Sequence, residues 1–298
     1  MQLCRFTLPG QGHRLGLLAE RTAYDLTASG WPALATLSAL LQASITTPIE
    51  ALLKDVDLTE LPGYAYADLD SDPTERSPHL LPPADRQEVW AAGVTYAWSR
   101  EARVREAQTK DVYVRVYEAE RPELFFKCPG EKAVGPNDWI GLRGDSRWNV
   151  PEPELTLVLN PALQIVGYTV GNDVSSRDIE GENPLYLPQA KIYRHACALG
   201  PAITLARQGL DPQSLSVRLT IYRDSAVVFQ GQTSTARMHR RPAELARYLG
   251  RYNDFPQGVL LMTGTGIVPP DDFTLQDGDD VLIEIEGVGT LRNPVKQM

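Results

Sequence analysis

Two glutamates stand one residue apart in the stretch WNVPEPEL, just before the apolar run LTLVLN. In an extended chain residues i and i+2 project to the same face, so Glu152 and Glu154 are expected about 7 Å apart along the chain. Pro151 and Pro153 have a fixed φ and favour extended geometry in their neighbours, which supports this arrangement. Two like charges so close raise each other's pKa unless a cation lies between them. The pattern indicates either a cation site or a solvated strand edge.

A third acid and a lysine occur in comparable settings. Asp173 ends the alternating strand IVGYTVGND, and Lys191 lies among apolar residues in LYLPQAKIY. Three carboxylates supply hard oxygen ligands, which select Mg²⁺, Mn²⁺ or Ca²⁺ over zinc. Desolvation of Lys191 would lower its pKa toward the range useful for acid–base chemistry, whereas a lone lysine is in most proteins a surface residue.

The elements that must position these residues are mostly strands. A strand pair and two apolar helical segments are predicted near the N-terminus, followed by a turn-rich stretch with five prolines between Pro62 and Pro83. Short strands separated by turns fill most of the chain after it, with no repeated βαβ pattern. We predict a mostly β, α+β protein, with a small N-terminal α+β domain and linker at residues 1–85 and a larger strand-rich domain at residues 86–298.

The composition of the chain indicates which kinds of partner and which cellular compartment to expect. The chain has 298 residues, with 29 Lys+Arg against 38 Asp+Glu and a net charge of −9, which argues against nucleic acid as a partner. Three cysteines in no paired spacing argue against a disulfide framework or a thiolate zinc site. No stretch approaches the roughly 18 apolar residues of a membrane span, and the N-terminus lacks a signal-peptide pattern. We therefore expect a cytoplasmic protein with no membrane partner.

Five motifs occur in an order that resembles the fumarylacetoacetate hydrolase superfamily: PEPEL, GYTVGNDVSSRD, AKIY followed by CALGP, MTGTGIV, and DGDDVLIEIEGVGTLRNPV. The resemblance covers roughly residue 89 to the C-terminus, so residues 86–298 would be the catalytic domain. It implies a mixed β-sandwich roll around a divalent metal, most simply Mg²⁺ with Mn²⁺ or Ca²⁺ as alternatives. The implied metal ligands are Glu152, Glu154 and Asp173.

The resemblance also implies roles in binding a small 2-keto acid. Lys191 would touch the keto-acid end of the substrate, and Thr265 in TGTG would bind its carboxylate. Members of the family commonly form dimers or dimers of dimers, so a homodimer or homotetramer is expected.

The sequence departs from the family's hydrolases at the residues that activate water. Those enzymes carry a histidine and a glutamate after a G-x-N-Y sequence, whereas the stretch GVTYAWSREAR has Ser99 and Ala102 at these positions. One branch of the family, the dehydratases of 2-keto-3-deoxy sugar acids, does not need that water. The segments GVTY, VPEPEL and GENPLYLPQAKIY resemble the sequences of this branch. This second resemblance implies a carbon–oxygen lyase that converts a 2-keto-3-deoxy-pentonate into 2,5-dioxopentanoate through a metal-chelated enolate.

Dehydration requires a base at C3 and an acid at the C4 hydroxyl. The candidates, in order, are Lys191, Glu123 in RPELFFK and Glu180 in RDIEGEN. Apolar neighbours of Glu123 would raise its pKa toward neutrality, although either glutamate is equally well explained as an exposed salt-bridge partner. The residues predicted to contact substrate are Lys191, Thr265, Ser99, Arg143 and Arg177.

Two other functions remain open at this point. A hydrolase or a decarboxylase of a diketo or oxo acid would use the same metal site. A binding or structural member of the family without catalytic activity belongs to a different class, and it would retain its properties when Glu152 is replaced by Gln.

Overall fold

Strands dominate the chain in a computed structural model, which describes residues 1–97, 115–206 and 209–298. The described strands are β1 Gln2–Leu8, β2 Gly12–Ala19, β3 Thr22–Asp25, β4 Gly63–Ala65, β5 His79–Leu81, β6 Glu88–Gly93, β7 Glu123–Pro129, β8 Ile140–Leu142, β9 Asn149–Val150, β10 Pro153–Leu159, β11 Ile165–Asp173, β12 Ser175–Ser176, β13 Cys197–Leu205, β14 Ser216–Arg223, β15 Ala226–Ser234, β16 Val259–Met262, β17 Asp280–Ile285 and β18 Gly289–Gln297.

Helices are short and lie between the strands. The described α-helices are α1 Leu37–Ala43, α2 Ile49–Leu53, α3 Tyr66–Leu69, α4 Arg177–Glu182, α5 Leu187–Lys191 and α6 Pro242–Leu249, and residues 115–118 are also helical. The described 3-10 helices are Leu26–Ser29, Pro32–Leu34, Leu58–Glu60, Gly130–Lys132, Pro184–Tyr186 and Thr235–Arg237. The prediction of a mixed α+β, strand-dominated fold is confirmed.

Two large sheets form the molecule. The eleven-stranded sheet has the order β4-β3-β2-β1-β13-β11-β10-β16-β6-β7, with β5 also pairing with β1. The five-stranded sheet has the order β15-β14-β17-β18-β8, and β9 pairs with β12 in a separate ribbon. Described neighbours are antiparallel except for the pairs β16–β6 and β18–β8, which are parallel.

The strands at the centre of the larger sheet are buried on both faces. All seven residues of β10 are buried, and Leu155, Leu157 and Leu159 face the five-stranded sheet in one apolar core. Val158 faces the other way, into a second core that the leucines of α1 and α2 also help to form. Burial on both faces explains why the run LTLVL is apolar at four of five positions rather than alternating between apolar and polar residues.

The N-terminal strands belong to the same sheet as the rest of the chain. In β1, Gln2 and Leu3 pair with Thr204 and Ile203 of β13, so the hydrogen-bonded ladder crosses the division predicted at residue 85. The two-domain organisation therefore stays a prediction. Within the described ranges, every helix is too short or too polar to cross a membrane.

Candidate metal centre

The register of β10 and β11 brings the three acids together. Glu154 is paired with Gly171, and the N–H of Asp173 donates to the carbonyl of Glu152 at 3.0 Å, so Glu152 lies opposite Asp173. Residues two apart on one strand, and their partners across the ladder, share a face of the sheet. One oxygen from each of the three carboxylates lies within 4.8 Å of the others. The prediction that Glu152 and Glu154 face the same side is confirmed.

These carboxylates lie inside the protein. Glu152 is 4% exposed, and Glu154 and Asp173 are each 1% exposed. An ionised carboxylate in such an environment requires a cation or several hydrogen bonds, because water no longer solvates it. The solvated strand edge, the other explanation of the PEPE pattern, is excluded.

Lys191, at the end of α5, contacts two of the three acids. Its ammonium donates to Glu152 Oε2 at 2.8 Å, to Asp173 Oδ2 at 2.9 Å and to the Ser175 hydroxyl at 2.7 Å. The side chain is buried, and its Nζ lies 5.9 Å from the centroid of the Phe125 ring. This burial agrees with the expectation that Lys191 is desolvated.

A second lysine, Lys127 on β7, belongs to the same cluster and was not among the predicted site residues. It is 1% exposed, forms an ion pair with Asp173 Oδ1, and donates to the carbonyls of Val174 and Lys191. Asp173 thus has one lysine at each carboxylate oxygen. The sequence signal that could have found Lys127 is a lysine inside the apolar strand ELFFKCP, where exposed lysines do not belong.

Glu152 has a second cationic partner, and Glu154 has a main-chain partner. Arg177, 1% exposed at the start of α4, forms an ion pair with Glu152 Oε1 at 2.8 Å. The N–H of Gly264 donates to Glu154 Oε2 at 2.6 Å. Gly264 has a φ of +90°, and a Cβ there would overlap the Thr95 hydroxyl, so only glycine presents its N–H in this way.

The pKa of Glu154 is held well above its usual value of 4.5. Burial is the main cause, followed by the negative charges of Asp173 and Glu152, while Lys191 and the Gly264 N–H act in the opposite direction. A cation placed among the three acids would relieve this repulsion. The carboxylate chemistry, the burial and the convergence of the oxygens fit a hard divalent ion such as Mg²⁺, Mn²⁺ or Ca²⁺.

A cavity of about 20 Å³ opens beside the cluster, and its size suits one water molecule or one ion. Its lining includes most of the predicted catalytic and substrate-contacting residues: Glu123, Arg177, Glu180, Lys191 and Thr265. Glu152 and Asp173 line the same cavity. The structure therefore brings the predicted acid–base candidates and two predicted metal ligands to one place.

The three predicted residues in this lining that have not yet been described come from different elements. Glu123 is the half-buried first residue of β7, Glu180 is a buried residue of α4, and Thr265 follows β16. The Thr265 hydroxyl donates to the carbonyl of Ile267 and accepts from its N–H.

Two of the residues predicted to contact the substrate, Arg143 and Ser99, are not among the described residues that line this cavity. The guanidinium of Arg143 donates to Asp145 at 2.8 and 2.6 Å and to the carbonyl of Gln189 at 2.9 Å, and Arg143 is not part of the cavity lining. These contacts hold Arg143 against the loop that follows β8. Ser99 lies outside the described residues, as does Ala102.

Comparison with known proteins points to one family. The sequence model of the fumarylacetoacetate (FAA) hydrolase C-terminal family matches residues 88–296. A protein of Haloferax volcanii named probable 2-keto-3-deoxyxylonate dehydratase is 44% identical over 287 residues, which are 95% of this chain and 95% of that protein. The 2-dehydro-3-deoxy-D-arabinonate dehydratase of Saccharolobus solfataricus is 42% identical over 259 residues, 84% of this chain and 87% of the relative.

A solved structure is similar over the full length of the chain. It is that of a 2-keto-3-deoxy-D-arabinonate dehydratase complexed with magnesium and 2,5-dioxopentanoate, with a TM-score of 0.82 and 35% sequence identity, covering 100% of this chain and 99% of its own. The resemblance inferred from the five motifs is thereby confirmed, and the chain belongs to the fumarylacetoacetate hydrolase family.

Proposed function

We propose that this protein is a carbon–oxygen lyase that removes water from a 2-keto-3-deoxy-pentonate and yields 2,5-dioxopentanoate, with Mg²⁺ as its cofactor. The observation that carries the proposal is the buried cluster of Glu152, Glu154 and Asp173 with Lys191, in a chain 44% identical over 95% of its length to a protein named as such a dehydratase. The magnesium and the dioxopentanoate in the structural relative support the choice of metal and product. The reaction would belong to the breakdown of pentoses.

The ligands of the metal would be Glu152, Glu154 and Asp173. A divalent ion bound there supplies electrophilic polarisation of the 2-keto acid, which acidifies the protons at C3. Glu152, Glu154 and Asp173 are buried, so the chain's own groups, rather than bulk water, would carry the protons at this site.

The proton transfers fall to residues that line the cavity. Lys191 is the first candidate, because its ammonium is held among the acids and its protonated form would stabilise the charge that develops on the C2 oxygen. Glu123 is the second and Glu180 the third candidate for the base at C3 or the acid at the C4 hydroxyl. Loss of the C3 proton and the C4 hydroxyl releases one water and leaves a C3–C4 double bond. Transfer of a proton from C5 to C3 then gives the C4–C5 enol, and transfer of the enol hydroxyl proton to C4 gives the aldehyde.

Other residues would bind the substrate. Thr265 would bind the substrate carboxylate, and Arg177, which lines the cavity, would contact the substrate near that carboxylate. Ser99 and Arg143 remain predicted contacts, and Arg143 would have to exchange its bonds to Asp145 to reach a substrate.

The decisive experiment identifies the product by NMR after purified protein and Mg²⁺ are mixed with 2-keto-3-deoxy-D-arabinonate or its xylonate epimer. We expect 2,5-dioxopentanoate with the carbon skeleton intact, and loss of at least a hundredfold in rate in Glu152→Gln. Pyruvate with a two-carbon fragment would identify carbon–carbon cleavage, and carbon dioxide would identify a decarboxylase. Either result would refute dehydration.

The same assay in D₂O separates the base from the acid. A variant that has lost the base at C3 should lose both deuterium exchange at C3 and product formation. A variant that has lost the acid at C4 should keep exchange while product formation falls. Glu123→Gln and Glu180→Gln are the informative pair, and unchanged exchange and turnover in both would leave Lys191 as the acid–base residue.

We also propose a cytoplasmic location and a homo-oligomeric assembly for this protein. Cys4, Cys128 and Cys197 are buried free thiols, which supports a reducing, cytoplasmic location. A homodimer or homotetramer is the assembly expected from the family, and the molar mass in solution tests it.

A further inference from the structure

The two lysines of the cluster are bonded to different kinds of partner. Lys127 donates to the main-chain carbonyls of Val174 and Lys191 as well as pairing with Asp173 Oδ1. Main-chain carbonyls of ordered elements cannot rotate away, so the ammonium of Lys127 is fixed. Lys191 instead bonds to side-chain oxygens of Glu152, Asp173 and Ser175, which can reorient.

The oxygens that Lys191 contacts belong to two of the candidate metal ligands. Glu152 presents Oε2 to Lys191 and Oε1 to Arg177, both at 2.8 Å. Asp173 presents Oδ2 to Lys191 at 2.9 Å and Oδ1 to Lys127. If Lys191 leaves, each buried carboxylate therefore keeps one cation, Arg177 for Glu152 and Lys127 for Asp173.

We propose that Lys191 and the divalent ion share Glu152 Oε2 and Asp173 Oδ2, so that metal binding moves the Lys191 ammonium into the cavity, while Lys127 is a positioning residue that holds Asp173 by Oδ1. A dication repels the ammonium and binds the same oxygens more strongly. Lys191 already lines the cavity beside the acids. Metal loading then delivers the lysine to the substrate. This inference rests on the metal site of the proposed function.

Lys127 makes this exchange favourable by holding the far oxygen of Asp173. Without Lys127, Lys191 would be the cation left at Asp173, and the carboxylate would turn to give it both oxygens. The incoming ion would then have to break a stronger ion pair. Removal of the two lysines should consequently change metal affinity in opposite directions, whereas a simple effect of net charge would change it in the same direction.

Calorimetric titration of the full chain with MgCl₂, in the absence of any substrate, tests the proposal. Lys191→Met is expected to lower the Kd for Mg²⁺ at least tenfold, and Lys127→Met to raise it at least tenfold. Lys132→Met is the matched control, because Lys132 is exposed and lies five residues from Lys127 in sequence, and its Kd should equal that of the parent protein. An unchanged or weaker Kd in Lys191→Met, or a tighter Kd in both variants, overturns the proposal.

Two further measurements show whether Lys127 positions Asp173 for metal binding or only supports the fold. In Lys127→Met, the Mg²⁺ concentration for half-maximal rate should rise while the rate at saturating Mg²⁺ stays within about threefold of the parent. Crystals of the parent protein soaked in Mg²⁺ should show Lys191 Nζ withdrawn from Asp173 Oδ2 with the Lys127 contact retained. Retention of both lysine contacts around a bound ion overturns the proposal even if a variant fails to fold. Absence of any Mg²⁺ binding by the parent protein would refute the metal site itself and with it the proposed function.

Discussion

Glu154 is the candidate ligand whose protonation the fold favours most clearly. It is 1% exposed, accepts a hydrogen bond from the Gly264 N–H, and lies next to the negative charges of Glu152 and Asp173. Burial and these two charges raise its pKa well above 4.5. In the unfolded chain the same carboxyl would be solvated and would titrate normally, so the folded protein binds a proton that the unfolded chain releases.

The resulting prediction concerns stability against pH with EDTA present. Above pH 4.5 the unfolded chain loses the Glu154 proton first, so this residue lowers the free energy of unfolding as pH rises, by up to about 1.4 kcal/mol per pH unit. Glu154→Gln has no such proton. It should therefore be more stable than the parent protein at pH 7 to 8, with a smaller difference near pH 5.

Urea unfolding between pH 5 and pH 8 measures this difference. Glu131→Gln, which changes an exposed glutamate, is the control and should retain the slope of the parent protein. Equal slopes in the parent and Glu154→Gln would mean that Glu154 is ionised in the folded state at all these pH values.

Residue patterns were enough to predict that Glu152, Glu154 and Asp173 lie together, but not that Lys127 lies beside them. Alternation places Glu152 and Glu154 on one face, and a strand ending in Asp173 is a local signal of the same kind. Lys127 lies where the β6–β7 ladder changes register: Val89 is opposite Cys128 and Trp90 is opposite Phe126, so Lys127 is the extra residue of a bulge. A bulge redirects a side chain, and alternation cannot forecast the new direction.

At the scale of elements, the cavity depends on how β6 and β7 pack. Gly93, the last residue of β6, is paired with Glu123, the first residue of β7. A Cβ at Gly93 would overlap the carboxylate of Glu123, so the glycine leaves the space in which this carboxylate lies. The position of a proposed acid–base group is thus set by the absence of a side chain on the neighbouring strand.

Gly93→Ala should consequently impair catalysis more than stability. The overlapping atoms belong to the flexible end of the Glu123 side chain, which can move aside at small cost, but a displacement of about 1 Å from the reacting atoms is expected to lower kcat on the order of a hundredfold. Thermal unfolding should shift by no more than a few degrees. Steady-state kinetics and calorimetric melting of the same samples measure the two effects.

A matched control is Gly63→Ala on the exposed strand β4, where the nearest side chains are Thr22 and Tyr24. It should leave kcat unchanged. Full activity in Gly93→Ala would show that the carboxylate of Glu123 does not need its present position, and would remove Glu123 from the acid–base candidates.

Element patterns alone could not decide the role of Arg143. Arg143 lies in the motif LRGDSRW, shortly before Glu152 and Glu154 in sequence, and this closeness in sequence is the basis for predicting a substrate contact. In the fold, β8 ends at Leu142, and the Arg143 guanidinium then turns to Asp145 in the following loop. Which way a loop side chain turns depends on such tertiary contacts, and these are not encoded in strand periodicity.

At the scale of the whole molecule, the cluster joins elements that are far apart in sequence. Lys127 comes from β7, Glu154 from β10, Asp173 from β11 and Arg177 from α4, and Gly264 follows β16. Four of these elements, β7, β10, β11 and β16, belong to the eleven-stranded sheet that also includes the N-terminal strands. Binding of an ion at this point should therefore stabilise the native fold as a whole and not one segment of it.

Mg²⁺ is accordingly expected to raise the melting temperature of the protein. An ion that binds the folded but not the unfolded chain adds about 2.7 kcal/mol at a concentration 100 times its Kd, which corresponds to an increase of roughly 4 °C for a chain of this size. EDTA should abolish the increase.

Asp173→Asn should melt at the same temperature with and without Mg²⁺, because the amide is a poorer ligand for a hard cation. Asp173 pairs with Lys127 and Lys191. The variant is therefore also expected to melt below the parent protein in EDTA, because it removes the buried carboxylate paired with Lys127 and one of the carboxylates paired with Lys191. An equal increase in the parent protein and Asp173→Asn would assign the stabilising ion to another part of the molecule.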